Sequence, residues 1–455
     1  MKTLSDIVAE LAGYDPQALN AETVNTFLSR LVEPVSEVDQ VAIFQALGRV
    51  LAHDLISPIA VPPHDNSAMD GYAFDGGQLV PGQPLSLKVI GTALAGKAWP
   101  GTVLAGECIK IMTGAIMPSG LNTVVPQELV ACSPEPGSVA GGTALTITLA
   151  PDLLRAGDNR RFRGEDLMQG RPALRKGELL TPAALGLVAS LGITSVAVLR
   201  RLKIAYFSTG DEILSLGETP REGAVYDSNR YTVFGLLARL GCEVIDLGVV
   251  RDSPELLEAA FVQAAAQADV IITSGGVSVG EADYTKTMMK KLGDVAFWKI
   301  AMRPGRPMAV GQIFRTKLSS SPYVVSAVSS EPDSKTNGSA ILFGLPGNPV
   351  AVMVTFLAFV RPALLRMMGA TTRTPPMLKA HSSAPIRKKP GRTEYQRGVV
   401  STTAEGTLQV KTTGNQGSGV LSSMVQANGL IVLHHSQGDV VPGDTVDVMM
   451  FDGVI

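Results

Sequence analysis

Glycine-rich and charged segments follow each strand that the sequence predicts between residues 202 and 368. In an open parallel sheet, ligands bind outside the carboxyl ends of the strands, so the residues just after each strand are the first candidates for chemistry. Because every predicted strand ends in this way, the pattern indicates a ligand crevice along one edge of the sheet. The segments are residues 209–212, 251–252, 274–283, 302–307 and 344–349.

Several carboxylates fall within these segments. Converging carboxylates usually need a cation to offset their repulsion, and oxygen ligands with a phosphate nearby favour Mg²⁺. The alternative, which stays open here, is that Asp211 and Asp283 are only helix caps or turn formers. The carboxylates are Asp211, Glu212, Asp252, Glu281 and Asp283.

The loop that begins Ser274-Gly275-Gly276 and continues to Ser278 is suited to an anion. Glycines let backbone N–H groups turn inward, and the start of the next helix adds its dipole. A tight turn between strand and helix explains the two glycines equally well on their own. The neighbouring acids and hydroxyls favour a binding role.

Three cations accompany the acids at this edge. Arg303 and Arg306 can grip an oxyanion through two donors each, while Lys299 acts as a point charge. These residues could instead form a solvated strand end. Lys299 follows Phe297-Trp298 in an apolar run, so it is ranked above its neighbours.

Other segments carry little signal by composition. Residues 91–98 approach a P-loop, but Ala98 replaces the required Ser or Thr. Residues 62–73 are dense in polar side chains, and by composition alone turns and caps are the favoured explanation. The histidines have no metal-site spacing; they are His53, His64, His381, His434 and His435.

The elements that must position this crevice alternate between strand and helix, which predicts a mostly parallel sheet with helices on both faces. The predicted strands are residues 203–208, 243–250, 270–273, 295–300 and 341–343. The predicted helices are residues 227–240, 254–267, 284–292 and 349–368.

The flanking regions have a different texture. Apolar spacing predicts two helices between residues 20 and 55, and Pro and Gly predict a helix from 182 to 191. Short β-rich runs between turns predict a β module from 58 to 150 and a small barrel from 375 onward. Residues 318–339 are rich in Ser and are interpreted as a surface insertion.

Bulk properties exclude several classes. The 455 residues are 45% hydrophobic with a net charge of −2, which argues against nucleic-acid or anionic-membrane partners. The longest apolar run, residues 350–360, is too short to span a bilayer, and no signal peptide is apparent. Three separated cysteines (Cys108, Cys132 and Cys242) favour neither disulfides nor zinc, so we expect a cytoplasmic protein.

Long motifs make the sequence similar to the MoeA family, which includes the E domain of gephyrin. They are PPHDNSAMDGYAF, IMTGAIMP, RRFRGEDL, STGDEI, YDSNR, ITSGGVSVGEADYTK, FWKIAMRPGRPMA and FGLPGNPVA.

The resemblance implies four domains. They are an elongated linker domain (38–60 and 160–190), an inserted β-rich domain (61–159), a MogA-like three-layer α/β domain (18–37 and 191–370) and a C-terminal β-barrel (375–455). It also implies a homodimer whose active site is shared between subunits. The expected partners are a MogA-like adenylyltransferase and molybdoenzymes or cofactor carriers.

The implied reaction is that of a molybdopterin molybdenumtransferase. Adenylated molybdopterin and molybdate give molybdenum cofactor, AMP and water, with Mg²⁺ or a similar ion. The resemblance assigns catalytic roles to Asp70, Thr113, Asp166, Glu212, Lys299 and Arg303. It assigns substrate binding to Ser274, Gly275, Gly276, Ser278, Asp227, Asn229, Pro304, Arg397 and Ser418, and the metal to Asp252 and Asp283. Arg303 departs from the Lys that bacterial relatives commonly carry.

Two other functions fit parts of the pattern. A gephyrin-like dimeric scaffold that binds peptides would have no use for the acids at the crevice. A molybdopterin adenylyltransferase would be a single α/β domain, which leaves the flanking β regions unexplained.

Overall fold

The structure is a computed structural model, and it describes residues 3–11, 14–134, 145–277, 284–315, 338–371 and 376–451. Ser278, Glu281, Asp283 and nearly all of the predicted insertion therefore lie outside the described residues.

The first of the two helices predicted between residues 20 and 55 is confirmed as Ala21–Leu31, and a short helix Leu4–Ala9 precedes it. The second is wrong. A strand Val38–Ala42 and a 3-10 turn Ile43–Gln45 stand there instead, and Phe44 is 96% exposed. The strand pairs with Ser195–Leu199, a partner about 150 residues away that local periodicity cannot reveal.

A six-stranded sheet confirms the predicted β-rich region. Four of its strands follow one another in space as Thr123–Pro126, Gly71–Phe74, Glu107–Ile111 and Leu85–Ala93, and Leu145–Leu149 and Val130–Pro134 complete it. Apolar clusters cover both faces of this sheet.

Short strand pairs connect the sheet to the rest of the chain. Leu55–Ile56 pairs with Pro172–Leu174, and Asn66–Ser67 pairs with Arg160–Arg161. The predicted helix at 182–191 is confirmed as Pro182–Ser190, where the Thr181 side chain accepts a hydrogen bond from Ala184 N–H.

The central sheet has six strands and confirms the predicted parallel-rich architecture. Its spatial order is Glu243–Val250, Lys203–Thr209, Val270–Ser274, Ser339–Leu345, Pro307–Phe314 and Gly293–Lys299. Pro307–Phe314 was not predicted, and it runs antiparallel to both neighbours. Its Gly311 lowers strand propensity, but a β-carbon there would lie 2.1 Å from the Asp294 carbonyl oxygen, so the close strand approach requires the glycine.

Helices pack on both faces of this sheet, as expected. Ser228–Arg239, Pro254–Gln267 and Tyr284–Leu292 match the predicted helices closely. The last predicted helix consists of Pro349–Thr355, a π-helical turn Phe356–Val360 and Arg361–Met367. Residues 350–360 alone are too short to cross a membrane, but the whole helical segment Pro349–Met367 is long and apolar enough. However, 78% of its apolar stretch is buried inside the fold. It is a core helix.

The C-terminal region forms the predicted small barrel. Thr393–Thr402 pairs with both Leu408–Thr412 and Gly429–Leu433, and Leu378–Ser382 and Thr445–Met450 close the ring. The short strand Met302–Arg303 adds to the barrel beside Thr393 and Glu394. This pairing holds the barrel against the carboxyl edge of the central sheet.

Candidate functional site

A cavity of about 930 Å³ lies where the parallel strands end and the barrel begins. This volume is within the ~300–1,000 Å³ range that is usual for small-molecule sites. The strand-end prediction therefore locates a real crevice. Among the residues singled out from the sequence, those lining it are Glu212, Asp227, Asn229, Asp252, Ser274, Gly275, Gly276, Arg303, Pro304, Arg306 and Ser418.

The Ser274-Gly275-Gly276 loop has a backbone that side chains would disrupt. Gly275 and Gly276 have φ of 91° and 64°, values that L-residues rarely adopt. A β-carbon at Gly275 would lie 2.5 Å from the Thr209 carbonyl oxygen, and one at Gly276 would lie 2.6 Å from the Thr285 side chain. The Gly275 N–H donates to the Leu345 carbonyl at 3.2 Å, so this amide ties the loop to the neighbouring strand. The backbone conformation and the close neighbours therefore require glycine at both positions. The absence of side chains there also leaves space in the cavity.

Three hydroxyls form a buried network beneath the loop. The Tyr206 hydroxyl lies 2.9 Å from Ser208 Oγ and 2.8 Å from Ser274 Oγ, and the two serine oxygens are 3.1 Å apart. Burial raises the pKa of the Tyr206 phenol, so the phenol stays protonated and neutral at physiological pH. The network fixes the Ser274 side chain at the strand end.

Several buried polar atoms at the cavity have no partner within the described residues. They include Asp227 Oδ2, Asn229 Oδ1 and Thr209 Oγ1. Asp227 also caps the helix Ser228–Arg239 by accepting from Arg230 N–H, and Asn229 Nδ2 donates to the Gly347 carbonyl at 2.7 Å. Leaving a buried acceptor unsatisfied costs about 1–3 kcal/mol, so these atoms are well placed for donors on a ligand.

The acids at this edge only partly converge among the described residues. Asp252 N–H donates to Asp211 Oδ1 at 3.2 Å, and Glu212 and Asp252 both line the cavity. The part of the chain that the structure describes contains no cluster of three or more His, Cys, Asp or Glu that could hold a metal.

A second cavity of about 260 Å³ adjoins the first and shares Arg303, Pro304 and Gln416 with it. Its charged lining consists of three arginines, Arg303, Arg387 and Arg397, and one carboxylate, Glu394.

Arg397 is the most deeply buried of these cations, at 1% exposure. Its Nε donates to Ser423 Oγ at 2.9 Å, and Nη2 donates to the Gly417 carbonyl at 3.0 Å and the Asn415 carbonyl at 3.3 Å. Within the described residues these acceptors are all neutral. Burial, with a smaller contribution from Arg303, lowers the pKa of Arg397 to about 10. A buried cation paired only with neutral oxygens favours the binding of an anion.

Among the described residues, four of those implied by the resemblance line neither cavity. Lys299 ends the edge strand Gly293–Lys299 opposite Pro307 and is half-buried. Asp166 is exposed, and its N–H donates to the Val61 carbonyl.

Asp70 and Thr113 lie together on the β-rich sheet. Thr113 N–H and Oγ1 donate to Asp70 Oδ1 at 2.6 and 2.7 Å. These hydrogen bonds, the backbone one first, lower the pKa of Asp70. The structure thus pairs two predicted residues that are 43 positions apart and keeps them exposed.

Some lining residues were not singled out from the sequence. Asn348 falls in a predicted strand-end segment, so its position was a usable signal. Tyr226 precedes the Asp227 cap, and the barrel contributes Arg392 and Gln416. The two barrel residues carry no local signal, because only the docking of the barrel brings them to the cavity.

Comparisons with known families cover most of the chain. Residues 19–192 match the MoeA N-terminal region (domain I and II), and residues 205–366 match the probable molybdopterin binding domain. Residues 379–451 match the MoeA C-terminal region (domain IV).

Relatives are similar over nearly their whole length. The molybdopterin molybdenumtransferase of Haemophilus influenzae is 38% identical over 437 residues, covering 95% of this chain and 99% of that one. The one from Nostoc sp. is 32% identical over 444 residues, covering 96% and 94%. The crystal structure of molybdopterin biosynthesis moeA protein from Pyrococcus horikoshii OT3 superposes with a TM-score of 0.73 at 26% identity, covering 95% of this chain and 100% of that one. This agreement confirms the expected fold class.

Proposed function

Because this chain belongs to the MoeA family of molybdopterin molybdenumtransferases, we propose that its crevice inserts molybdenum from molybdate into adenylated molybdopterin and releases AMP. The chain is accordingly a transferase of molybdenum cofactor biosynthesis.

The buried Arg397 is the observation that carries the proposal. Molybdate is a tetrahedral dianion, and its binding needs positive charge and hydrogen-bond donors. Arg397 supplies a cation with neutral partners, Arg303 lines both cavities, and Ser418 adds a hydroxyl at the rim of the larger one. We assign these residues to molybdate. The resemblance adds Lys299 to this set. We assign its positive charge, at the end of the strand Gly293–Lys299, to support molybdate binding.

The larger cavity is assigned to the adenylated pterin. The Ser274-Gly275-Gly276 loop leaves room for phosphate groups, and Asp227 and Asn229 present unsatisfied acceptors to N–H donors of a heterocycle. Pro304 shapes the wall between the two cavities. The substrate would then place its dithiolene sulfurs close to the molybdate.

A divalent cation fits the donor chemistry of the opposite wall. Asp252 and Glu212 provide only oxygen ligands, and Mg²⁺ commonly binds one or two carboxylates together with substrate phosphates. We assign Asp252, with Asp283 from outside the described residues, to Mg²⁺, which polarises the pyrophosphate when bound. If this is correct, Asp252→Asn raises the Mg²⁺ concentration that AMP release requires, and an unchanged Mg²⁺ dependence contradicts it.

The protein residues mainly bind and orient. The arginines hold molybdate beside the two thiols of the dithiolene. Each Mo–S bond that forms displaces one oxo group, which leaves as water with the thiol proton and one proton from solvent. One of the two waters is consumed when the phosphoanhydride bond is hydrolysed to release AMP. Arg397 and Ser418 retain the remaining oxo groups, while Glu212 lies at the strand end near the pyrophosphate. Precise placement of reactants of this kind accounts for much of the rate enhancement in enzymes.

Asp70, Thr113 and Asp166 are assigned to the partner subunit's crevice in a homodimer. They are exposed and line neither cavity of their own chain, which a shared site would explain. We also propose the four domains with the boundaries given above, a cytoplasmic location, and exchange with a MogA-like adenylyltransferase and with molybdoenzymes or cofactor carriers.

The decisive experiment incubates the protein with adenylated molybdopterin, Mg²⁺ and molybdate. We expect molybdate-dependent AMP release and reconstitution of an apo-molybdoenzyme. Absence of both, with capture of a peptide, would favour the scaffold function. Formation of adenylate from Mg-ATP and molybdopterin would favour the adenylyltransferase.

A further inference from the structure

Arg392 reaches the large cavity from the barrel side. It immediately precedes the barrel strand Thr393–Thr402, and it lines the same cavity as the loops that follow the parallel strands. Its side chain is 32% exposed, so the guanidinium is accessible to a ligand in the crevice.

The buried carboxylate of Glu394 holds this guanidinium in place. Arg392 Nε and Nη2 lie 2.8 and 2.7 Å from the same oxygen, Oε1 of Glu394. Gln396 Nε2 donates to the other oxygen, Oε2, at 3.1 Å. A guanidinium has five N–H donors. Among the described residues, the side chain of Arg392 makes polar contacts only with Oε1 of Glu394, through Nε and Nη2. Donors of Arg392 therefore remain for a ligand.

Neutralising Glu394 is a simpler role for Arg392, but that role does not require Arg392 to line the large cavity. Glu394 is 2% exposed and does need a cation nearby. Lys388, at 4% exposure, also interacts electrostatically with Glu394 and donates its ammonium to two backbone carbonyls. With a second cation beside Glu394, the placement of Arg392 at the cavity wall indicates a further role.

We propose that Arg392 binds a phosphate group of the nucleotide portion of the substrate, and that Glu394 is the positioning residue that aims it. The assignment rests on the proposed function, since it names the part of the substrate that this wall recognises. Arg392 lines the large cavity, whereas Arg397 lines the small one. Phosphate is therefore its ligand, and molybdate is the ligand of Arg397.

The test compares Arg392→Met, Arg392→Lys and Glu394→Gln with the wild type by calorimetric titration of AMP and, separately, of molybdate. We expect Arg392→Met to weaken AMP binding by about 10- to 150-fold, the range for one hydrogen bond to a charged group. Arg392→Lys should recover part of the loss, since it keeps the charge without the fork of donors. Glu394→Gln should weaken AMP binding less than Arg392→Met does. In the complete reaction, both variants should raise the KM for adenylated molybdopterin while leaving kcat nearly unchanged.

Arg230→Met is the matched control. Arg230 makes the same contact with Asp246, with Nε and Nη2 at 2.9 and 2.7 Å from Oδ2, but it lines neither cavity. This variant should keep wild-type AMP affinity. Wild-type AMP affinity in Arg392→Met, or a loss confined to molybdate, would overturn the proposal. The wild-type protein could bind AMP through Arg392 and yet form no AMP from adenylated molybdopterin and molybdate. That result would contradict the proposed function and support this inference.

Discussion

Replacing Arg397 by Met tests whether the buried guanidinium exists to hold an oxyanion. Met keeps much of the length of the side chain but removes the charge and the donors to Ser423 Oγ and to the Gly417 and Asn415 carbonyls. Arg387→Met is the matched control, because Arg387 lines the same small cavity but is exposed.

The stability of the unliganded protein should change little. Burial lowers the pKa of Arg397 to about 10, which corresponds to a penalty of about 3 kcal/mol for keeping the cation buried. Because the pKa of Arg397 is lower in the folded state than in the unfolded state, this penalty is fully present below about pH 10 and is relieved as the pH rises above that value. The Met variant escapes the penalty but loses hydrogen bonds worth about 1 kcal/mol each, so the two changes nearly cancel.

Molybdate binding should change greatly. Truncating one partner of a buried charge pair costs about 2–5 kcal/mol, which raises the Kd for molybdate at least about 30-fold. In the wild type, a bound anion restores the usual pKa of Arg397, so the affinity should fall as the pH rises through about 10, whereas Arg397→Met should lack this titration. Calorimetric titration of molybdate at several pH values measures both effects. If Arg397→Met binds molybdate as the wild type does, or if Arg387→Met loses as much affinity, the reasoning from burial is refuted.

Three further predictions follow from the site. Gly275→Ala should destabilise the protein by about 2 kcal/mol or more, because φ is positive and the new β-carbon meets the Thr209 carbonyl. The control Gly347→Ala, whose β-carbon meets nothing within 4 Å, should change the denaturation midpoint negligibly. Equal midpoints of the two variants would contradict the steric argument. Lys299→Ala should raise the molybdate concentration needed for half-maximal AMP release, and an unchanged requirement would remove Lys299 from the anion site. Asp70→Ala and Arg397→Met subunits should each be inactive alone and should regain activity when mixed in equal amounts, if each crevice is shared across a two-fold dimer. Half of the dimers are then mixed, and one of the two crevices in each has both wild-type residues, so about a quarter of the sites are active. Persistent inactivity would place the whole site in one subunit.

Five of the six strands of the central sheet were predictable because their signals are local, whereas Pro307–Phe314 was missed. Buried strands read as short apolar runs, and the caps of the helices that follow them, such as Asp227, stand directly before helical periodicity. The errors occur where distant segments decide. The spacing of Val41, Phe44 and Leu47 suggests a helix, but Val38–Ala42 pairs with Ser195–Leu199 and leaves Phe44 in solvent. Residues such as Arg392 could not be found for the same reason, since barrel docking alone brings them to the crevice.

The charges of the crevice are separated in a way that suits a reaction between two anions. In the proposed reaction, phosphate and molybdate must approach closely, although both are negative and repel each other most where water is excluded. The carboxylates Glu212 and Asp252 lie at the ends of the first strands, whereas Arg303 lines both cavities at their junction. In the arrangement proposed above, a cation between two bound anions offsets their repulsion, and Mg²⁺ at Asp252 would neutralise the pyrophosphate. Arg303 is anchored there because its short strand pairs with Thr393 and Glu394 of the barrel, so the docking of the barrel itself assembles the junction between the two proposed anion sites.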